Sequence, residues 1–258
     1  MRVLFLYIIL VLILSFQVSV GIAQLDTIHW MPPMHAGPGD KIDDHYIYLT
    51  TLENNPFDVR IYNGAGVLLS TENISKNNPK RYFIGDGANT DVMVPKASLM
   101  TVLSNKGLIM VAPKPFFANY RGKEPSQAEI ITAKGRAAKG DEFRASCPPM
   151  EDNASTTRSF MVGIMATENN TEVLINEYNP DVKFATAGAP VSMASISITL
   201  NAGQSYVISG HTQDDAANNT GFTGALITST KPIVMNSGLW LGSIAAGNGQ
   251  DILADQAV

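Results

Sequence analysis

The sequence predicts a mainly β protein made of two tandem antiparallel β modules, sandwich-like, with radially arranged propeller blades as the alternative. Three observations predict it. Apolar and polar residues alternate at strand period in "FDVRIY" (residues 57–62) and "SISITL" (195–200). No stretch shows an amphipathic helical stripe with caps; "IITAKGRAAKG" could hold one helical turn, bounded by Gly135 and Gly140. Most tellingly, the strand-like phrases recur in the same order about 115 residues apart.

The recurrence starts with Glu53-Asn54-Asn55 in "LTTLENNPFDVRIYN", which returns as Glu168-Asn169-Asn170 in "MATENNTEVLIN". "KRYFIG" (80–85) matches "QSYVIS" (204–209), and "GLIMVAPKPFFAN" (107–119) matches "GALITSTKPIVMN" (224–236). "QAEIITAKG" from Gln127 has a looser echo in "QDILADQ" from Gln250. Asn63-Gly64 and Asn201-Ala202-Gly203 follow their strands as turn chemistry, where positive φ costs little. The polar stretch "PPMEDNASTTR" separates the copies. The expected organisation is a signal peptide at residues 1–23, a first module at 24–147, a linker at 148–157 and a second module at 158–258. The second copy stops after "DILADQ", where the first continues into "GDEFRASC", so the sequence reads as a truncated N-terminal fragment.

The signal peptide rests on Met1-Arg2, an uncharged apolar run from Val3 to Leu14, and small residues before a cut after Ala23. That run is too short to span a bilayer comfortably, and no later segment is long and apolar enough. The mature chain is therefore expected to be exported, to the cell surface or beyond, with no transmembrane segment. The formal charge of −5 and the lack of a basic run exclude nucleic acid as an expected partner. Cys147 is the only cysteine, so neither an intramolecular disulfide nor a multi-cysteine zinc site can form.

Candidate chemistry is sparse. Lys114-Pro115 and Lys231-Pro232 recur between β-prone runs; proline cannot donate to a ladder, so each pair marks the corner between paired strands or an edge. Lys114 is expected near Glu53 and Lys231 near Glu168, with Val59, Ile61, Val173 and Ile175 facing the core. The asparagines after each glutamate fit tight turns. Four glycosylation sequons begin at Asn73, Asn153, Asn169 and Asn218. His35, Asp40, Asp43, Asp44 and His45 lie close in sequence, and Asp214 and Asp215 share a loop, but neither group has a zincin or EF-hand spacing. No nucleophile with a base, nucleophile elbow or phosphate-cradling loop occurs. The sequence thus assigns no catalytic, cofactor-binding, metal-ligating or ligand-binding residue, and no cofactor.

Taken together, "QLDTIHWMPPM", "YLTTLENNPFDVRIYNGAG", "KPFFANYR", "AEIITAKG", "FMVGIMATENNTEV", "LNAGQSYVI" and "TGALITSTKPIVMNSG" resemble the IgGFc-binding-protein N-terminal domain family, nearest its branch in large surface proteins of Bacteroidetes. The resemblance implies an extracellular β-rich binding or scaffolding module, of a kind often followed by further modules and a type IX secretion sorting domain. It brings no residue-level Fc-binding motif, so that activity is not carried over. Two functional classes follow: a non-catalytic surface binding or adhesion module with an extracellular protein or glycan as partner, or an enzyme acting on an extracellular polymer through carboxylates brought together between strands.

Overall fold

The computed structural model describes residues 24–36, 43–123, 128–151, 159–212, 215–242, 244 and 251–258. The signal peptide and most of the stretch expected to link the modules lie outside them.

The first sheet contains β1 (Asp26–Met31), β2 (Asp43–Thr50), β3 (Phe57–Asn63), β4 (Leu68–Ile74), β5 (Lys80–Gly85), β6 (Leu108–Lys123) and β7 (Ala128–Thr132). The second contains β8 (Gly140–Arg144), β9 (Phe160–Ala166), β10 (Thr171–Asn176), β11 (Ile196–Leu200), β12 (Ser205–Ser209), β13 (Leu226–Gly242) and β14 (Asp251–Gln256). Their orders are the same: β4-β3-β6-β2-β5 with β1 and β7 also on β6, and β11-β10-β13-β9-β12 with β8 and β14 also on β13. All named pairings are antiparallel. The duplication read from the sequence is therefore a duplicated topology.

One long strand organises each module. The first part of β6 pairs with β3 and β1, and the part beyond Pro115 pairs with β2 and β7. Between them, Pro113 and Pro115 remove ladder donors, so the strand can change partners without orphaning a buried N–H. On either side of partly exposed Lys114, the alternate residues Leu108, Met110, Ala112, Phe116, Ala118 and Tyr120 are buried. They meet Val59 and Ile61 from one side of the bend and Ile47 and Leu49 from the other, so the sheet closes on its own core. The second module does the same with Val162, Ile164, Val173, Ile175, Ile227, Ile233 and Met235. Each module has its own sandwich-like interior, whereas a propeller blade buries its faces against neighbouring blades.

Strand pairing corrects three points of the sequence reading. β8, the strand of "GDEFRASC", pairs with β13 and opens the second sheet; its counterpart is β1. The apparent lack of a second copy of that phrase therefore carries no information about chain length. Arg81 lies opposite Tyr48 where Val207 lies opposite Gly163, so "KRYFIG" and "QSYVIS" correspond with a two-residue slip from the textual match. The helical turn at Gly135–Ala138 forms as a short 3-10 segment, and a short helix at Ala216–Thr220 was not foreseen.

The modules are interlocked. Met161, Leu241 and Ile252 of the second enter the first core. Trp30 packs with Met165 and Val234, and Val94 and Leu99 pack with Val207. Leu103 exchanges backbone hydrogen bonds of 2.9 Å with Ser205 at the edge of β12. Asn236, fully buried, donates from Nδ2 to the Pro32 carbonyl at 2.9 Å, and Gln256 Nε2 donates to the Trp30 carbonyl at 2.9 Å. Polar side chains buried at this seam are thus spent on the main chain of the first module.

Candidate functional site

The residues singled out in the sequence mostly serve the fold. Lys114 Nζ lies 3.2 Å from Glu53, an ion pair on half-exposed side chains. The repeated pair does not form in the second module: Lys231 Nζ donates instead to the Asn169 carbonyl at 2.5 Å. The turn after Glu168 is tighter, with Asn170 in the left-handed region at φ 54°, which brings that carbonyl to the lysine. A repeated interaction that sequence reading missed holds both corners. Thr51 Oγ1 donates to the Pro115 carbonyl at 2.9 Å, and Thr167 Oγ1 to the Pro232 carbonyl at 2.7 Å. Its signal was present, since a threonine precedes each glutamate phrase and a proline follows each lysine.

The histidines are structural. His45 donates from Nε2 to the Gly87 carbonyl (3.2 Å), and with the ring kept neutral by burial its Nδ1 accepts a hydrogen bond from the Tyr120 hydroxyl (2.6 Å). His29 donates to the Phe116 carbonyl and His35 to the Val94 carbonyl, each at 2.8 Å. Burial lowers the pKa of all three below the ordinary 6.5. Among the described residues no three His, Cys, Asp or Glu side chains gather as a metal site; Asp40 and Asp214 lie outside them. Asp43 lies opposite Lys123 in the ladder, Asp44 pairs with Lys123 at 3.6 Å, and Asp215 is held by Lys183 (2.6 Å) and His211 (3.0 Å). Burial pushes the Cys147 thiol up to about 12, so it is an inert core residue. Of the sequons, Asn73 is exposed, whereas Asn218 is buried with Nδ2 bonded to the Lys183 and Thr212 carbonyls at 3.0 Å each.

What the strands assemble on the outside is more distinctive. On the outward face of β5, β2 and β6, alternation places Arg81 and Phe83 beside Tyr46 and Tyr48, and these beside Arg121 and Lys123. The Arg81 guanidinium carbon stands 4.3 Å from the Tyr46 ring centre, and that of Arg121 5.6 Å from the Tyr48 ring. Tyr46 and Phe83 pack at 5.1 Å between centroids. Arg81 beside the Tyr48 phenol lowers its pKa below 10, with Arg121 adding to the effect. A cleft of about 340 Å³ opens between Asp44, Tyr46, Tyr48, Arg81, Arg121 and Lys123. Lys123 has Asp44 as counter-ion, but among the described residues neither arginine has a carboxylate within ion-pair distance. Phe83 and, on neighbouring β7, Ile130 are 48 % and 52 % exposed, so the face keeps apolar surface between its cations. Sequence reading missed these residues because they sit on three strands and converge only after pairing.

A second, larger cleft of about 700 Å³ lies by the first proline corner, between Phe57, Asp58, Arg60, Tyr62, Asn73 and Pro113. Asn73 Nδ2 donates to Asp58 at 2.8 Å there. Among the described residues each of these two clefts is lined by one carboxylate, Asp44 or Asp58, where glycoside hydrolysis calls for a facing pair. No helix among the described residues is long and apolar enough to cross a membrane.

No curated protein and no solved structure matches the chain. A family model described as IgGFc binding protein matches residues 133–258, which include all of β8 to β14. Over residues 133–258 the chain is thus similar to the IgGFc binding protein family.

Proposed function

We propose that this chain is a non-catalytic binding or adhesion module of an exported protein, working outside the cell or at its surface, and that the arginine–tyrosine face of the first module contacts its ligand. The observation that carries the reading is that face: two guanidiniums with no carboxylate within ion-pair distance among the described residues, stacked on two half-buried tyrosines beside exposed Phe83, in a chain of net charge −5. Tyrosine and arginine supply large, rigid contact area together with directed hydrogen bonds, and for that reason dominate the energetics of protein interfaces. The similarity of residues 133–258 to the IgGFc binding protein family supports a protein ligand over a reaction.

The test is surface plasmon resonance of residues 24–258 against a panel of immobilised extracellular proteins, immunoglobulin Fc among them. A ligand of this face binds wild type and loses most of its affinity for the Arg81→Glu/Arg121→Glu variant. Binding to no member of the panel, or equal binding by the variant, counts against the assignment. Export is checked by N-terminal sequencing of the secreted protein, which should begin at Gln24.

A further inference from the structure

The two modules present the same sheet face to different surroundings. With β6 and β13 aligned through Lys114-Pro115 and Lys231-Pro232, the ladders make Tyr46 the counterpart of Met161 and Tyr48 that of Gly163. Across the neighbouring strands, Arg81 corresponds to Val207, Arg121 to Gly238 and Ile130 to Ala254. In the second module this face is covered. Met161 is fully buried in the first module's core, and Val207 is buried against Val94 and Leu99. Across it runs the strand-like, proline-containing segment 30–34, fixed by its main chain: Asn236 donates to the Pro32 carbonyl and Gln256 to the Trp30 carbonyl. The second module therefore holds a peptide segment on this face already.

The first module keeps the same fittings with different chemistry. Asn119 stands where Asn236 stands, and Thr132 where Gln256 stands. Thr132 Oγ1 donates to Asn119 Oδ1 at 2.7 Å, which holds the amide in place. Its Nδ2 donates to no described residue, whereas the Nδ2 of Asn236 grips a peptide carbonyl. Around it, the small and apolar residues of the covered face are replaced by tyrosine, phenylalanine and arginine, and among the described residues neither arginine has an ion-pair partner. A repeat face adapted only to water would shed its large apolar groups, yet Phe83 and Ile130 remain about half exposed.

We propose that the outward face of β5, β2, β6 and β7 seats an extended acidic peptide segment of a protein partner, laid across the sheet as residues 30–34 are laid across the second module. The proposal rests on this face being the binding surface. Arg81 and Arg121 take the acidic side chains, with the planar fork that suits carboxylates. Asn119 Nδ2 takes a backbone carbonyl, and Tyr46, Tyr48 and Phe83 take the apolar parts of the segment. The Asn119 amide is what distinguishes a peptide from a polyanion that would need the arginines alone.

The experiment uses residues 24–258 and fluorescence anisotropy at low salt, with a labelled peptide of alternating glutamate and proline, its glutamine–proline analogue, and labelled dextran sulfate. The acidic peptide is expected to bind about tenfold tighter than the neutral one, a difference of about 1.4 kcal/mol. Arg81→Gln/Arg121→Gln removes that preference, with an unchanged melting temperature. Asn119→Leu weakens peptide binding several-fold and leaves dextran sulfate binding as it was. Equal affinity for the two peptides overturns the proposal, as does an Asn119→Leu variant that weakens neither probe or both equally. Concentration-dependent dimers of the wild type that the arginine variant loses also overturn it, by making a second copy the occupant. If arginine reversal abolishes binding to an extracellular protein but the acidic peptide never binds, the proposed binding face stands and the acidic-peptide assignment fails. If reversal changes neither, both fail.

Discussion

The carbonyl oxygen of Pro33 faces Gly163 so closely that a Cβ at residue 163 would stand 1.9 Å from it. The obstacle is backbone held by neighbouring hydrogen bonds, since Asn236 fixes the Pro32 carbonyl beside it. Gly163→Ala is therefore expected to force the modules apart and to destabilise the chain by about 1–3 kcal/mol or more. Urea melts of residues 24–258 measure this, and a wild-type midpoint would show that the seam yields more easily than its geometry implies.

The glutamate-asparagine phrase is repeated for its strand, not for its charge. Ile175 is fully buried, and Ile175→Ala should cost about 2–5 kcal/mol through lost burial and the cavity left behind. Glu168 makes no ion pair with Lys231, so Glu168→Ala should stay within about 0.5 kcal/mol of wild type. Glu53→Ala breaks a half-exposed pair and should cost about 0–1 kcal/mol. Denaturant melts of the three variants rank them, and a glutamate variant as damaging as Ile175→Ala would reverse the conclusion.

The threonine hydroxyls at the two corners should each matter modestly. Thr51→Val and Thr167→Val each remove a hydroxyl donor from a proline carbonyl, at about 0.5–1.5 kcal/mol apiece, with Thr167→Val at the lower end because the Thr167 N–H still donates to the Pro232 carbonyl at 3.3 Å. The sites lie in separate modules, so the double variant should show close to the sum of the two. A clear excess over the sum would mean that the corners communicate through the seam.

Acid should loosen the protein through its buried histidines. His29, His35 and His45 have folded pKa values below 6.5 because burial penalises the charged ring. The unfolded chain then binds the extra protons, so their contribution to stability is complete above about pH 6.5 and falls as pH drops toward the folded values. Thermal melts between pH 8 and pH 5 should show a falling midpoint, and His45→Gln should flatten the slope. A midpoint independent of pH over that range would mean that the rings are not buried neutral.

The residues themselves were enough to settle the fold class and the duplication. Alternation in "FDVRIY" placed Val59 and Ile61 inside, where both are fully buried, because a strand's two faces are written in its period. The Lys-Pro pairs marked the bends of β6 and β13 because proline's missing N–H is a local property. The Glu53–Lys114 pair was also foreseen from recurrence, while Glu168 and Lys231 parted company because Asn170 takes a left-handed turn that recurrence does not encode.

Tertiary structure alone decided which strand belongs to which sheet, and hence where the candidate site lies. β8 falls inside the first module as read from the sequence, 24–147, but pairs with β13 in the second sheet, since ladders are closed by long-range hydrogen bonds that no local pattern specifies. Tyr48, Arg81 and Arg121 are unremarkable outward positions on three separate strands until β2, β5 and β6 lie side by side. Tyr48 and Gly163 look unrelated in the sequence, yet they hold one register position on two copies of a face. Burial of that face in one copy and its exposure in the other follow from how the modules stack, because it is the contact with the Pro33 main chain that leaves room at Gly163 for no side chain at all.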